Sequence, residues 1–230
     1  MKLKKQKFYE EITFYLCITL STLSFAQIDF NNTRFGVTAG LNRSGVSNAH
    51  RPSGARYTFQ AGGLALIPIG TANQFFLQPE VLFYGAGETG KDSDFKNGDR
   101  NANGYNAVYA NNYISVPVYF KAYFSEAPSE FFAMAGPRFN FLVNQNVKNV
   151  PQDRPYYDPD YNGTSNFNGK AASFNFGIGL GLGYSLKREW EFTIKYDLGL
   201  TNTYKGLVNE LSSKSKSEQV ASIGVSYIFK

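Results

Sequence analysis

Cysteine, histidine and long apolar runs are nearly absent from this chain of 230 residues. It has one cysteine, Cys17, and one histidine, His50. No stretch approaches the roughly 18 consecutive apolar residues that a membrane-spanning helix needs. These absences argue against a disulfide framework, a zinc site and a bundle of membrane-spanning helices.

Charge is also sparse. Asp, Glu, Lys and Arg make up 18% of the residues, and after residue 26 no cluster of Lys or Arg indicates a nucleic-acid partner. The chain has no P-loop and no dinucleotide-binding fingerprint. It is rich instead in Phe (21), Tyr (16) and Gly (22). Aromatic residues combined with glycine are typical of closely packed strands that meet a membrane interface.

Residues 1–26 predict a cleaved secretory signal peptide. Lysines precede an apolar segment at 12–23, and Ser24-Phe-Ala26 is typical of a cleavage site. Cleavage would leave residues 27–230 as one barrel domain and would remove Cys17. The loss of four lysines and two glutamates would lower the formal net charge from +5 to +3. The alternative is an uncleaved anchor helix, which the short apolar run disfavours.

Eight later segments alternate between apolar and polar or small residues, which is the period of a β-strand. In the clearest one, large apolar residues alternate with the glycines of Gly177-x-Gly-x-Gly-x-Gly183. The second segment leaves open which of its faces is the apolar one. The segments are 34–44, 57–68, 74–85, 112–124, 130–143, 171–186, 189–202 and 219–230.

The connections between these segments alternate strictly between short and long. The short ones are 69–73, 125–129 and 187–188, and the long ones are 45–56, 86–111, 144–170 and 203–218. A transmembrane barrel has short turns at one end, long loops at the other and an even number of strands. We therefore predict an all-β, eight-stranded, antiparallel up-and-down transmembrane β-barrel. A soluble barrel of lipocalin type is the alternative fold.

Two expectations concern details of the strands. The faces predicted to be apolar carry no charged residue, as contact with lipid requires. Pro117 and Pro137 interrupt otherwise regular strands, so we expect β-bulges near them.

The inward faces carry three basic and three acidic residues. Eight strands enclose an interior just wide enough for side chains to fill, and an unpaired charge buried there would be costly. Counting from the short turns puts two opposite-charge pairs at matching heights, Glu80 with Lys195, and Arg138 with Asp197 slightly above. We predict a salt-bridge network that plugs the lumen, centred on Arg138, with the glycines of 171–186 making room. Its members are Glu80, Lys121, Arg138, Glu191, Lys195 and Asp197.

The C-terminal strand carries a second pattern. Ser222, Gly224, Tyr227 and Phe229 are spaced as polar, x, glycine, x, x, hydrophobic, x, aromatic. This spacing resembles the C-terminal signal by which the insertion machinery recognises bacterial outer-membrane barrels. Those proteins usually end on the aromatic residue, whereas Lys230 follows it here.

Five fragments in order along the chain carry a family resemblance. They are Gly36-Val-Thr-Ala-Gly-Leu-Asn42, Leu77-Gln-Pro-Glu-Val-Leu-Phe-Tyr84, Tyr113-Ile-Ser-Val-Pro-Val-Tyr-Phe-Lys121, Ala135-Gly-Pro-Arg-Phe139 and Ile223-Gly-Val-Ser-Tyr227. Together they resemble the PorT-like outer-membrane β-barrel domain of Bacteroidetes. The resemblance implies an eight-stranded barrel in the bacterial outer membrane, with membrane lipids and the insertion machinery as partners. It implies no catalytic activity, because the family has no shared catalytic motif.

Residues with catalytic or metal-binding chemistry are few. His50 lies on the first long connection, without a visible base, nucleophile and orienting group around it, so we predict neither an enzyme nor a cofactor. Asp158, Asp160 and Asn162 match the opening of a calcium loop, but Gly169 stands where its terminal Glu belongs. A turn-forming cluster explains these residues equally well.

The predicted function is a structural or surface-interaction role, in which the long loops meet protein or glycan partners. A small-solute channel and a lipid-modifying enzyme are the alternatives. An open lumen would favour the channel, and the single histidine disfavours the enzyme.

The C-terminal pattern makes a testable prediction. We expect Phe229→Ala and Gly224→Asp to lower the amount of inserted barrel, because each removes a position of the insertion signal. His50→Ala is the control and should insert normally. The measurement is the amount of folded barrel in outer-membrane fractions. The folded barrel is recognised by its heat-modifiable band, which migrates differently on a gel with and without boiling. Equal insertion of all three variants would show that the pattern is coincidental.

Overall fold

A computed structural model of the protein describes residues 28–49, 53–71, 73–90, 108–148, 170–205 and 214–229. Within these ranges no helix is long and apolar enough to cross a membrane. The ranges contain ten β-strands, which are β1 (Arg34–Val46), β2 (Ser53–Pro68), β3 (Phe75–Gly90), β4 (Val108–Tyr123), β5 (Glu130–Lys148), β6 (Lys170–Ala171), β7 (Phe174–Leu186), β8 (Trp190–Gly199), β9 (Tyr204–Lys205) and β10 (Glu218–Ile228).

Eight of the strands close into one antiparallel barrel, in the order β1-β10-β8-β7-β5-β4-β3-β2. Apart from the short strands β6 and β9, which pair with each other, strands that follow one another along the chain are neighbours. The first and last strands close the barrel, with Gly36 opposite Ile228 and Val46 opposite Glu218. The predicted eight-stranded up-and-down barrel is confirmed.

The register of the strands sets the width of the barrel. Paired residues can be followed from Ser44 on β1 through Val220 on β10 and Asp197 on β8 around the sheet. The path returns to β1 at Arg34, ten residues from its start. Eight strands with this stagger tilt strongly and enclose an interior that side chains fill.

Alternate side chains face the lumen and the outside, as the period of two predicts. On β8, Ile194 is 70% exposed, whereas its neighbour Lys195 is only 5% exposed. The face of β2 that the sequence left open is settled by burial, since Leu64 and Leu66 point into the lumen. The outside is therefore a belt of large apolar side chains, which is the surface that lipid requires.

Strands β2 to β5 extend further at the long-connection end than their patterns predicted. Strand β3 continues to Gly90 and β5 to Lys148, five residues beyond the expected end in each case. The added residues pair with one another, as Thr89 does with Val108 and Val108 with Lys148. Main-chain pairing holds this part together, so its side chains need not alternate between apolar and polar.

The expected bulges at the two prolines are absent. Register is continuous across Pro117 and Pro137, although rungs of the ladder beside them are missing between β3, β4 and β5. A proline removes one N–H donor without adding a residue, so a ladder can lose a bond and keep its register. In the described barrel, register shifts occur instead between Ala55 and Gln60, and between Asn112 and Tyr113.

The expectation that the outward faces carry no charge was wrong at one position. Arg43 continues the outward face of β1 beyond Leu41, and its side chain is exposed. An arginine at the bilayer midplane costs about 2–4 kcal/mol, whereas near the interface the cost falls to about 0–1 kcal/mol. The position of Arg43 near the long-connection end of β1 is the kind of site where such a charge is tolerated.

Close approach of neighbouring strands makes one glycine hard to replace. A Cβ atom on Gly136 of β5 would lie 1.9 Å from the carbonyl oxygen of Val118, whereas a Cβ on Gly45 would have no atom within 4 Å. We expect Gly136→Ala to destabilise the barrel by about 1–3 kcal/mol or more through overpacking. The control, Gly45→Ala, should unfold at nearly the wild-type denaturant concentration in lipid vesicles. Equal stability of the two variants would contradict this packing.

Candidate functional site

The six charged residues predicted for the lumen are all buried, with exposed fractions between 0 and 6%. The structure brings them together as three ion pairs. Lys121 Nζ lies 2.5 Å from a carboxylate oxygen of Glu191, and Lys195 Nζ lies 3.3 Å from one of Glu80. The third pair joins Arg138 to Asp197.

The lowest pair, nearest the short turns, has an aromatic lining. Lys121 Nζ lies 4.0 Å from the ring centre of Phe132 and 4.9 Å from that of Tyr123. The hydroxyl of Tyr123 donates to Glu191, the partner of Lys121. The ammonium group is thus surrounded by a carboxylate and by ring faces, both of which favour its positive charge.

Gln78 on β3 joins the lower pair to the middle one. Its amide oxygen accepts a hydrogen bond of 3.0 Å from Lys121 Nζ, and its amide nitrogen donates to Glu80 at 2.7 Å. Gln78 and Glu80 are two residues apart on one strand, so both point inward. Strands β3, β4 and β8 therefore contribute to one network that runs from Glu191 to Lys195.

Arg138 was predicted to lie at the centre of the network, but it belongs to the upper pair, above the chain of contacts that runs through Gln78. Its Nε donates to the hydroxyl of Ser115 and to the side-chain oxygen of Asn140, both at 3.1 Å, and its guanidinium carbon lies 3.7 Å from the ring centre of Tyr84. An arginine held by a carboxylate, two polar side chains and a ring face has one fixed position.

The glycines of β7 make room for these side chains. A Cβ on Gly179 would lie 2.6 Å from a carboxylate oxygen of Asp197 and 2.8 Å from the ring of Tyr119. A Cβ on Gly183 would lie 2.3 Å from the ring of Phe132. The repeated glycines are thus a packing requirement of the filled lumen.

A small cavity of about 20 Å³ remains beside the upper pair, between Tyr84, Asn175 and Glu218. This is room for about one water molecule. Arg138 Nη2 and Asp197 Oδ1 have no hydrogen-bond partner in the part of the chain that the structure describes. The cavity is far too small for a solute path.

The short-turn end is closed by Arg188, for which the sequence indicates only a position in a turn. Its guanidinium pairs with Glu130 and donates to the carbonyl oxygens of Asn73 at 2.7 Å and Ser125 at 3.2 Å. It also stacks 3.8 Å from the ring centre of Tyr123. One arginine thereby ties the β7–β8 turn to the other two short turns. Nothing in the sequence pattern distinguishes it from an exposed turn residue.

The opposite end is covered by an apolar cluster that the sequence also did not reveal. Val46, Ala49, Tyr109, Ala171 and Tyr204 pack together, and all are less than 7% exposed. Ala171 and Tyr204 are brought there by the pairing of β6 with β9. The rings of Tyr109 and Tyr204 meet edge to face at 6.1 Å.

The residues of the C-terminal pattern divide between the two faces. Ser222 is buried in the lumen, while Phe229 is exposed on the outside near the short turns. Tyr227 packs against Trp190 with ring centres 4.8 Å apart. The structure positions these residues, and their recognition by an insertion machinery stays a prediction.

Several predicted features lie outside the described residues. These are the signal peptide at 1–26, His50 and the calcium-like segment around Asp158, Asp160 and Asn162. Among the residues described there is no group of His, Cys, Asp and Glu that could hold a metal ion.

The fold agrees with a comparison against protein families. The family described as outer membrane protein beta-barrel domain matches residues 25–205. The chain belongs to this family. Membership in this family indicates that the protein is located in the outer membrane.

Solved structures of several other proteins are similar to the chain. Neisserial surface protein A is 14% identical, with 86% of this chain and 97% of that chain covered and a TM-score of 0.43. Ail, the attachment invasion locus protein of Yersinia pestis, is 8% identical, with 86% and 97% covered and a TM-score of 0.39. The outer membrane enzyme PagL is 9% identical, with 84% and 98% covered and a TM-score of 0.42. No curated protein sequence matches the chain.

The upper ion pair makes a prediction about stability. Arg138→Leu should destabilise the barrel by about 3–5 kcal/mol, because it strands the buried carboxylate of Asp197. The double variant Arg138→Leu with Asp197→Asn should recover part of that loss. The exposed Lys148 at the end of β5 supplies the control Lys148→Leu, which should change the free energy of unfolding little. Denaturant unfolding in vesicles gives all four values. Equal effects of Arg138→Leu and Lys148→Leu would contradict a buried pair.

Proposed function

We propose that this outer membrane barrel is a plugged barrel with a structural or surface-interaction role, rather than a pore or an enzyme. The observation that carries the proposal is closure of the lumen at three levels. Arg188 joins the short turns, the ion pairs fill the middle, and the cluster around Tyr109 and Tyr204 covers the long-connection end.

The extended strands support a role at the cell surface. In an outer membrane barrel the short turns are periplasmic and the longer loops extracellular. Strands β2 to β5 continue past the other strands toward the extracellular side, where Thr89, Val108 and Lys148 still pair across the sheet. They would form a rigid wall that presents the long loops to protein or glycan partners.

The rest of the proposal concerns origin and assembly. The chain would be exported by the signal peptide at 1–26, inserted through recognition of Ser222, Gly224, Tyr227 and Phe229, and surrounded by membrane lipids. Within the family, the chain would belong with the PorT-like barrels, because its five sequence fragments resemble theirs. The small-solute channel is the alternative, and it requires the three levels of the plug to move aside.

Conductance in a planar bilayer tests the plug. The purified wild-type barrel, checked for folding by its heat-modifiable migration, should give no steady current, because buried ion pairs fill the middle of the lumen. An open porin inserted under the same conditions is the positive control. Sustained ohmic currents from the wild type would overturn the plug and establish the channel.

A further inference from the structure

Arg43 is a charged residue on the lipid-facing side of the barrel that the plug does not use. It is exposed on the same face as Leu41, and no hydrogen bond or ion pair engages it among the residues described. Its strand ends three residues later, at Val46, so it stands near the extracellular limit of the apolar belt. A cation at this height is within reach of lipid headgroups.

The residues beside Arg43 form a polar groove. Tyr57 on β2 and Ala221 on β10 lie directly opposite Arg43, and Tyr196 on β8 lies opposite Ala221. The small side chain of Ala221 leaves a depression between the larger ones. The groove has a volume of about 430 Å³ and includes Arg43, Tyr196 and Ala221 in its lining.

Hydrogen bonds fix the wall that faces Arg43 across this groove. The hydroxyl of Tyr196 donates to the side-chain oxygen of Gln219 at 2.8 Å. The amide nitrogen of Gln219 in turn donates to the hydroxyl of Ser47 at 2.7 Å. The groove therefore has one cationic side and one side of preordered neutral polar groups, a combination that suits an anionic headgroup.

An apolar groove of about 930 Å³ lies directly below, toward the membrane centre. Leu41 and Ile223, which line it, are two residues below Arg43 and Ala221 on the same outward faces. Ala39, another lining residue, is small and widens the groove. A free anion would occupy only the polar part, whereas a lipid would fill both.

We propose that Arg43 binds the phosphate of an outer-leaflet lipid whose acyl chain lies in the groove below. A guanidinium can donate two parallel hydrogen bonds to phosphate, and exposed tyrosines such as Tyr57 and Tyr196 favour the headgroup level. The proposal is independent of the plug, because every residue it uses faces outward or lies above the lumen.

Native mass spectrometry of the full-length folded barrel in detergent tests the phosphate contact. The probes are lipid A and the same lipid with its phosphates removed. Arg43→Gln should weaken retention of lipid A about tenfold, the typical effect of losing a charge-assisted hydrogen bond. Lys187→Gln removes an exposed cation from the opposite end and should retain lipid A like the wild type. The dephosphorylated lipid should bind all three proteins equally weakly.

A second variant tests the acyl part without touching the charge. Ala39→Phe should fill the apolar groove and weaken lipid A retention. In a separate measurement, inorganic phosphate at the same concentration as lipid A should not displace the lipid from the wild type. Heat-modifiable migration confirms that each variant is folded. Equal lipid A retention by wild type and Arg43→Gln would overturn the proposal. Displacement by inorganic phosphate would also overturn it, since it would indicate an adventitious anion site.

Discussion

Main-chain hydrogen bonding inside lipid is the constraint from which the rest of this structure follows. The bilayer core offers no water, so every N–H and C=O must find a partner within the protein. Pairing of β1 with β10 satisfies the last two edges and closes the sheet. In the closed barrel, alternate side chains point into a narrow lumen and the others into lipid. This arrangement restricts the types of residue that each face of a strand can carry.

The lumen is the costly side of this arrangement. Charged groups that are removed from water must be paired, and buried ion pairs often contribute little net stability compared with apolar packing. Their effect here is to define one arrangement of side chains. Lys121 needs Glu191, Gln78 links it to Glu80, and Arg138 needs Asp197. A change in register by one residue would turn these charges toward lipid, so the network favours the observed pairing of strands.

The fold was predictable because a period of two assigns each residue to a side before any contact is known. The same parity placed the six charges inside. Contacts that depend on stagger and tilt were not predictable, such as the bridge through Gln78. The ion pair of Arg188 with Glu130 and the pairing of β6 with β9 could not be predicted, because turns and loops have no periodicity to interpret. Arg43 contradicted the expected apolar face because that face passes out of the lipid before the strand ends.

Water accessibility of single cysteines inside the barrel tests the closed lumen most directly. The chain has one natural cysteine, so Cys17→Ser supplies a background for Ser115→Cys and Ser222→Cys in the lumen and Ser47→Cys above it. The folded barrel in vesicles is treated with a small water-soluble thiol reagent. We expect rapid modification at position 47 and slow modification at 115 and 222 until the barrel is unfolded. Equal, rapid modification at all three positions in the folded barrel would contradict a plugged lumen.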